Sequence, residues 1–141
     1  MKIILLTGDK KRHHAFVKYF STKYPIDCVI LEKKLSQKTN DETIKKFISD
    51  FEKSEIKFFP KHNISKNESA IYINNKEINS EKVFTLLNKK KPDLLISFGC
   101  SLLSNLIINT AKLGGINIHT GLTQFYRGVD SNYWSIINKK P

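Results

Sequence analysis

Two side chains of the sequence, an amide and an imidazole, are spaced so that they could act together in acyl transfer. Asn117 and His119 flank Ile118 in a short apolar run, and strand alternation would place both on one face. An imidazole can take and return the proton of an amine, while an amide NH₂ can donate to an oxygen that becomes negative in a tetrahedral intermediate. The structural alternative is that His119 only hydrogen-bonds a backbone carbonyl at the strand end.

The apolar patterns that surround this pair alternate between strands and helices. Strands are predicted at residues 2–7, 26–31, 94–98 and 116–119, with weaker signals at 58–60 and 70–73. Helices are predicted at residues 12–24, 41–51, 81–90, 102–111 and 131–138. Ser80 is the predicted N-cap of the helix at 81–90.

The predicted strands are short and apolar throughout, which is typical of a parallel sheet covered by helices on both faces. The sequence therefore predicts an α/β fold with a doubly wound, mostly parallel, open sheet. Ligands of such sheets bind beyond the carboxyl ends of the strands. The candidate ligand-binding turns are therefore those after residues 7, 98 and 119.

Length and composition agree with one folded domain. The chain has 141 residues, of which 40% are hydrophobic and 26% are charged, and these ordinary fractions favour neither a disordered chain nor a membrane class. The net charge of +11 comes mainly from lysines scattered over the whole sequence. That distribution favours a solvated surface over a dedicated nucleic-acid face.

The first apolar run and the cysteines indicate the compartment. Residues 3–6 are too short a run for a signal peptide. Cys28 and Cys100 are too few and too far apart for a disulfide framework or a zinc site. We therefore expect a cytoplasmic protein without a metal and without membrane association, and the sequence makes no prediction of oligomeric state.

The region around the amide and imidazole resembles the folate-dependent formyltransferases. In this family, which includes the methionyl-tRNA, glycinamide ribonucleotide and sugar N-formyltransferases, a strand ending in Asn-x-His runs into a loop with an Arg-Gly or Lys-Gly pair. The sequence shows in the same order Asn117, His119, Leu122, Tyr126-Arg127-Gly128 and Trp134-Ser135-Ile136. The resemblance implies a Rossmann-like formyltransferase fold, 10-formyltetrahydrofolate as co-substrate, Asn117 polarising its formyl carbonyl and His119 as general acid/base.

A second stretch, residues 92–103, is similar to the strand and turn that precede the catalytic strand in this family. The turn lines the pteridine pocket there, so the resemblance implies a folate wall formed by Phe98, Gly99, Cys100, Ser101, Leu102 and Leu103. The alternative from the residues alone is a buried strand that ends at a glycine for packing.

The turn after the first strand departs from the Gly-Thr-Pro-type turn of the methionyl-tRNA members. The resemblance is therefore closer to the sugar N-formyltransferase-like members, and it implies a small amine substrate that is phosphorylated or nucleotide-linked. A helix N-terminus favours an anion, and a guanidinium offers a planar set of donors. The predicted substrate-binding residues are Gly8, Asp9, Arg12, His13, Arg127 and Gly128. The alternative for the first turn is an exposed polar segment.

Two departures qualify the resemblance. Gly121 and Thr123 stand where the family commonly has Ser and Pro. The family also places an aspartate a few tens of residues beyond the histidine, whereas Asp130 lies on the arginine loop and is not assigned that role. We therefore expect residues 1–141 to form a single formyltransferase catalytic domain that is incomplete at its C-terminal end and lacks the last strands.

Three other functions are left open by the residues. A non-catalytic module with the same fold would bind folate or a nucleotide without turnover. A methionyl-tRNA formyltransferase would act on a charged tRNA. A basic nucleic-acid protein would show strongly salt-dependent retention on DNA or RNA, but the scattered lysines make nucleic acid an unexpected partner.

Overall fold

A computed structural model describes residues 1–34, 39–60, 70–128 and 131–139. Strands and helices alternate along these residues as β1 (Ile3–Gly8), α1 (Lys11–Ser21), β2 (Cys28–Glu32), α2 (Glu42–Phe58), β3 (Ala70–Ile73), a 3₁₀ turn (Glu77–Asn79), α3 (Glu81–Lys90), β4 (Leu94–Phe98), α4 (Asn105–Ile108), β5 (Gly115–Asn117) and α5 (Ser131–Ile137).

The five strands form one sheet in the order β3-β2-β1-β4-β5. All four neighbouring pairs are parallel. The chain runs outward from β1 to β3 and then returns to the other side of β1, so the order reverses between β1 and β4. The predicted α/β fold with a doubly wound parallel sheet is confirmed, and the reversal is where such sheets bind ligands.

Alternate residues of the central strands pack on opposite faces of the sheet. On one face the strands lie against α3, α4 and the 3₁₀ turn, with a core of Ile4, Leu6, Cys28, Ile30, Ile73, Ile78, Val83, Leu87, Leu95, Ile107 and Ala111. On the other face they lie against α1, with a core of Ile3, Leu5, Val17, Val29, Leu31 and Ile96. The centre of the sheet is therefore covered twice, which explains the uninterrupted apolar strands.

One predicted strand is wrong. Residues 58–60 do not form a strand, because α2 continues to Phe58 and Phe59 is its C-cap. A helix can run up to this point because Pro60 disfavours the helical region only for the residue before it. The same continuation makes α2 longer than the predicted helix at 41–51 and brings Glu55 to a buried position.

Two other elements are shorter than predicted. The helix expected at 102–111 spans only Asn105–Ile108, because the Asn79 side chain holds Leu102 and Ser104 by their backbones. The strand expected at 116–119 ends at Asn117. Its last bond to β4 is the Ile118 N–H to the Ser97 carbonyl, at 2.8 Å.

The other predicted elements are present, although α1 ends at Ser21 and β2 begins at Cys28. Ser80 accepts a hydrogen bond from the Val83 N–H and is the N-cap of α3, and β4 has the predicted bounds. The apolar stripe of α2 is not buried, since Ile44, Phe47 and Phe51 are exposed. None of the helices in the described ranges has the length and apolar character needed to cross a bilayer.

Candidate functional site

The turns after β1, β4 and β5 meet at one edge of the sheet. Thr7 is opposite Phe98 in the register of β1 and β4, and Ser97 is opposite Asn117 in that of β4 and β5. Since all three strands run in the same direction, the segments that follow them lie side by side. The structure thus brings together the three turns that the sequence singles out.

Asn117 is the last residue of β5, and its amide is held from β4. The buried Ser97 hydroxyl donates to Asn117 Oδ1 at 2.9 Å. This bond uses the acceptor end of the amide and leaves both Nδ2 hydrogens as donors. No acceptor for them is found among the described residues. An amide fixed in this way can donate to an oxygen atom of a bound molecule.

His119 lies two residues beyond β5 and is half-buried. Its Nδ1 is 3.1 Å from the Gly121 carbonyl oxygen and 3.2 Å from the Gly121 nitrogen. The carbonyl contact is the structural role considered above, but it engages only one ring nitrogen. Nε2 is therefore the ring atom left for proton transfer. In the described part of the chain, no carboxylate is recorded against His119.

Close packing explains why position 121 is a glycine in this chain. A Cβ at this position would lie 2.7 Å from Ser131 Cβ. Ser131 is itself buried and its hydroxyl is 3.1 Å from that of Thr120. The start of α5 thus packs directly on the loop after His119. A serine, the residue that the resembling family carries here, would not fit without displacing Ser131.

The arginine loop is ordered by its own backbone. The N–H groups of Phe125 and Tyr126 both donate to the Leu122 carbonyl. Arg127 Nε donates to the Thr123 carbonyl at 3.0 Å, and Arg127 and Gly128 are exposed. The loop therefore presents a cation at the rim of the sheet edge. Asp130 lies outside the described residues.

Arg12, on the first turn of α1, is tied to α2. Its backbone N–H and its Nη1 both donate to Glu55 Oε1, each at 3.0 Å. Its guanidinium carbon also lies 5.6 Å from the centre of the Phe51 ring, within the range of a cation–π contact. Asp9, the preceding candidate, accepts from the Lys34 N–H at 3.3 Å. Both side chains are thus held by neighbouring segments.

His13 is packed between the glycines that end β1 and follow β4. A Cβ on Gly8 would lie 2.5 Å from the ring, and one on Gly99 would lie 2.4 Å from Nε2. The ring is 2% exposed and stands edge-on to Phe98 with the ring centres 5.2 Å apart. Burial, together with the charges of neighbouring cations, lowers the pKa of His13 to about 3. The imidazole is therefore neutral, and its contact with a substrate stays a prediction.

The predicted folate wall is held in place by side chains from three elements. The Thr7 hydroxyl donates to the Phe98 carbonyl at 2.6 Å. Glu32 Oε2 accepts from the Ser101 N–H at 2.7 Å. The Asn79 amide donates to the Leu102 carbonyl and accepts from the N–H of Ser104, both at 2.8 Å. The backbone of this loop is thus bound on the side that faces the protein.

Glu32 is a residue of this region that the sequence reasoning missed. It closes β2 with no exposed surface, and it accepts from the Lys76 N–H, the Ser101 N–H and Lys34 Nζ at 2.7, 2.7 and 2.8 Å. Burial alone would raise its pKa, but hydrogen bonds from Lys34 and Ser101 bring the pKa below the usual value. The sequence did offer a signal, because Glu32 is a charged residue at the end of an entirely apolar run. Glutamate is rarely buried unless it is paired.

The outer side of the same loop is apolar. Leu102 is 92% exposed, and Gly99 adopts a left-handed conformation with φ +67°, which favours glycine. Cys100 is half-buried, and burial raises its pKa to about 11, so the thiol is uncharged. An apolar rim beside the exposed backbone of Gly99 is suited to a flat ring system. No cluster of three or more potential metal ligands occurs in the described ranges.

No family model matches the chain, but a curated protein and solved structures do. A stretch of 64 residues, 45% of this chain, is 41% identical to the bifunctional polymyxin resistance protein ArnA of Wigglesworthia glossinidia brevipalpis. The structure of phosphoribosylglycinamide formyltransferase from Anaplasma phagocytophilum superposes with a TM-score of 0.61 at 16% sequence identity, over 98% of this chain.

These matches cover unequal parts of the proteins. The matched stretch is 10% of the ArnA chain, and the superposition covers 58% of the solved formyltransferase. The similarity of the backbone nevertheless extends over nearly all of this chain, including the sheet edge with Asn117 and the loop after β4. The chain has the formyltransferase-family fold.

Proposed function

We propose that this chain acts in the transfer of a formyl group from 10-formyltetrahydrofolate to the primary amine of a small, phosphorylated or nucleotide-linked substrate. The observation that carries this proposal is the Asn117 amide, which Ser97 holds through its oxygen at 2.9 Å and whose NH₂ has no acceptor among the described residues. It stands at the end of β5, next to the β4 side of the reversal point, two residues before His119.

Asn117 is proposed to polarise the formyl carbonyl. Its Nδ2 hydrogens would donate to the carbonyl oxygen, which becomes more negative as an amine attacks. Because the Ser97 hydroxyl already fixes the amide, little reorganisation is needed at the moment of reaction. Loss of one such donor typically costs on the order of 3 kcal/mol of activation free energy.

His119 is proposed to move the proton of the attacking amine. For the ring to act as a base, Nε2 must be unprotonated, so Nδ1 carries the hydrogen and donates to the Gly121 carbonyl at 3.1 Å. In the other tautomer the Gly121 N–H donates to Nδ1 at 3.2 Å. The Gly121 backbone therefore accommodates both tautomers, and proton transfer at Nε2 uses the one in which Nδ1 is the donor.

The loop after β4 is proposed to bind the reduced folate. Exposed Leu102 and the backbone at Gly99 offer the apolar rim and the close approach that a pteridine ring needs. Ser101 N–H and the Leu102 carbonyl are already bound to Glu32 and Asn79. The polar edge of the ring would therefore be read by Gly99, Cys100 and Leu103, and the folate supplies the formyl group.

The amine substrate that receives the formyl group is proposed to lie between the two arginines. Arg12, which is paired with Glu55, and exposed Arg127 would supply the cations, and Gly8, Asp9, His13 and Gly128 complete the proposed substrate-binding set. An anionic group on the acceptor, such as a phosphate, is the chemistry that such forks recognise. The turn after β1, which departs from the Gly-Thr-Pro type, favours a sugar N-formyltransferase-like substrate over a tRNA. The proposed location is cytoplasmic.

The proposal is tested by a formyl-transfer assay with 10-formyltetrahydrofolate and an aminosugar nucleotide. We expect slow turnover that falls at least about a hundredfold in Asn117→Ala and in His119→Ala, as for other groups that donate or transfer a proton in the transition state. Brisk turnover that survives His119→Ala would refute the assignment. Thr110→Ala, a change on the loop after α4, is the control for losses of activity caused by expression and purification of a variant.

A non-catalytic folate-binding module is the second candidate. The favouring observation is that no carboxylate of the described residues orients His119. This function predicts that tetrahydrofolate binds and that no formylated product appears. The two candidates therefore differ in turnover and agree in binding.

A further inference from the structure

Glu32 joins the first half of the sheet to the loop that follows β4. One carboxylate oxygen accepts from the Lys76 N–H beyond β3, and the other accepts from the Ser101 N–H. Lys34 Nζ bridges the carboxylate and the Ser101 hydroxyl, at 2.8 and 2.9 Å. Three separate segments thus converge on one charge that has no exposed surface.

The charge of Glu32 is what makes this arrangement hold. A buried carboxylate is tolerated only when donors meet it on all sides, and here two backbone N–H groups and one ammonium do so. A charged acceptor forms stronger bonds than a neutral one. The Ser101 N–H is therefore bound more firmly than it would be by a carbonyl or an amide.

Asn79 holds the same loop two residues further along. Its amide bonds the Leu102 carbonyl and the Ser104 N–H, both at 2.8 Å. The loop between Gly99 and Ser104 is thus attached at three backbone groups, all on its inner side. The outer side is left with Leu102 exposed and with the backbone at Gly99 and Cys100.

We propose that Glu32 is a positioning residue for reduced folate, which fixes the loop after β4 through Ser101 without touching the ligand. This inference rests on the proposed function, because it takes that loop to be the folate wall. A loop already held in its binding shape loses less conformational freedom when the ligand arrives, so its affinity is higher.

The test compares Glu32→Gln with the unmodified chain by amide hydrogen exchange and by calorimetric titration with tetrahydrofolate. Gln keeps the size of the side chain, but it removes the charge and can turn an NH₂ towards the Ser101 N–H. We expect exchange at residues 99–104 to quicken by about tenfold or more, and the Kd of tetrahydrofolate to rise roughly tenfold. Exchange in β1 should be unchanged.

Glu55→Gln is the matched control for the exchange measurement. It also removes a buried carboxylate with two donated bonds, here from Arg12, and it does not contact the loop after β4. Exchange at residues 99–104 should therefore stay at the level of the unmodified chain. If both variants speed exchange of the loop equally, the effect is general destabilisation and the inference is wrong.

Asn79→Ala is the second variant, for the case in which Glu32→Gln does not fold. Asn79 is exposed and releases the same loop without disturbing the buried charge. We expect the same rise in Kd. A loop that exchanges faster in either variant while the Kd of tetrahydrofolate stays constant overturns the inference. If the unmodified chain binds no tetrahydrofolate, the proposed function fails, even where the exchange data show that Glu32 holds the loop.

Discussion

The centre of the sheet and its β5 edge differ in how completely their side chains are buried. All six residues of β1 are buried, whereas all three residues of β5 are exposed. Among the described strands β5 pairs only with β4, and α5 presents four large apolar side chains to solvent, namely Tyr133, Trp134, Ile136 and Ile137. Asn117 and His119 therefore stand on the less packed region, while the loop after β4 is anchored on the packed one.

This difference separates two tasks of the site. The proposed binding of a ring by the loop after β4 would depend on elements held from both faces of the sheet. Orientation of the amide and imidazole depends on one strand pairing, on Ser97 and on the Gly121 backbone. Substitutions should therefore change stability at the centre and change chemistry at the β5 edge.

The largest expected effect is that of a cavity at the centre. Leu95→Ala removes a side chain with no exposed surface from the core under α3, and it should lower the free energy of unfolding by about 3 kcal/mol. Urea denaturation measures the change. A loss below about 1 kcal/mol would mean that the centre is not packed as described.

The second-largest effect is expected from acidification, which should lower the stability of the fold through the buried imidazole of His13. The pKa of His13 is about 3 in the folded chain, below its ordinary value of 6.5, so only the unfolded chain takes up a proton as the pH falls below 6.5. Stability should drop by about 1.4 kcal/mol per pH unit, or about 2 kcal/mol between pH 6.5 and 5. Thermal unfolding over this range measures it.

His13→Gln is the control for this pH dependence. The variant is expected to be less stable at pH 7, because the space between Gly8 and Gly99 is shaped by the ring. Between pH 6.5 and 5 its stability should change less steeply than that of the unmodified chain. An equal slope in both proteins would assign the effect to other groups.

A smaller effect on stability is expected at Gly121, where the β5 edge is closely packed. In Gly121→Ala the new Cβ would lie 2.7 Å from Ser131 Cβ, which should cost about 1 kcal/mol of stability and shift the loop after His119. Adding Ser131→Gly should recover part of the loss. A double-mutant cycle without coupling between the two positions would contradict the contact.

The smallest effect is expected on β5 itself. Ile116 is 55% exposed, so Ile116→Lys should change the unfolding free energy by less than about 0.5 kcal/mol. The same substitution at the buried Ile96 serves as the comparison and should prevent folding. A large loss at Ile116 would show that the edge is covered in solution.

Much of the fold follows from short-range patterns. The apolar runs at β1, β2 and β4 and the Ser80 cap depend on neighbouring residues, and the structure agrees with them. The errors at residues 58–60 and 102–111 have different causes. The bounds of α2 and α4 depend on Pro60 and on Asn79, and the second acts from another element through the backbone of Leu102 and Ser104.

The site divides in the same way. The spacing of Asn117 and His119 is visible in the sequence, and so are the glycines beside them. Glu32 was not recognised, because its donors come from Lys76 and Ser101, 44 and 69 residues away along the chain. The burial of His13 was also hidden, since its neighbours Gly8 and Gly99 come together only when β1 and β4 pair.

The close packing of His13 on these two glycines also limits how the protein can change during evolution. Neither glycine can gain a side chain while the imidazole is in place, and a smaller residue at 13 would leave a void that both turns would close. A change at one of the three positions is tolerated only together with changes at the others. Among relatives with this turn arrangement, we therefore expect the three positions to covary, so that a histidine here occurs with both glycines.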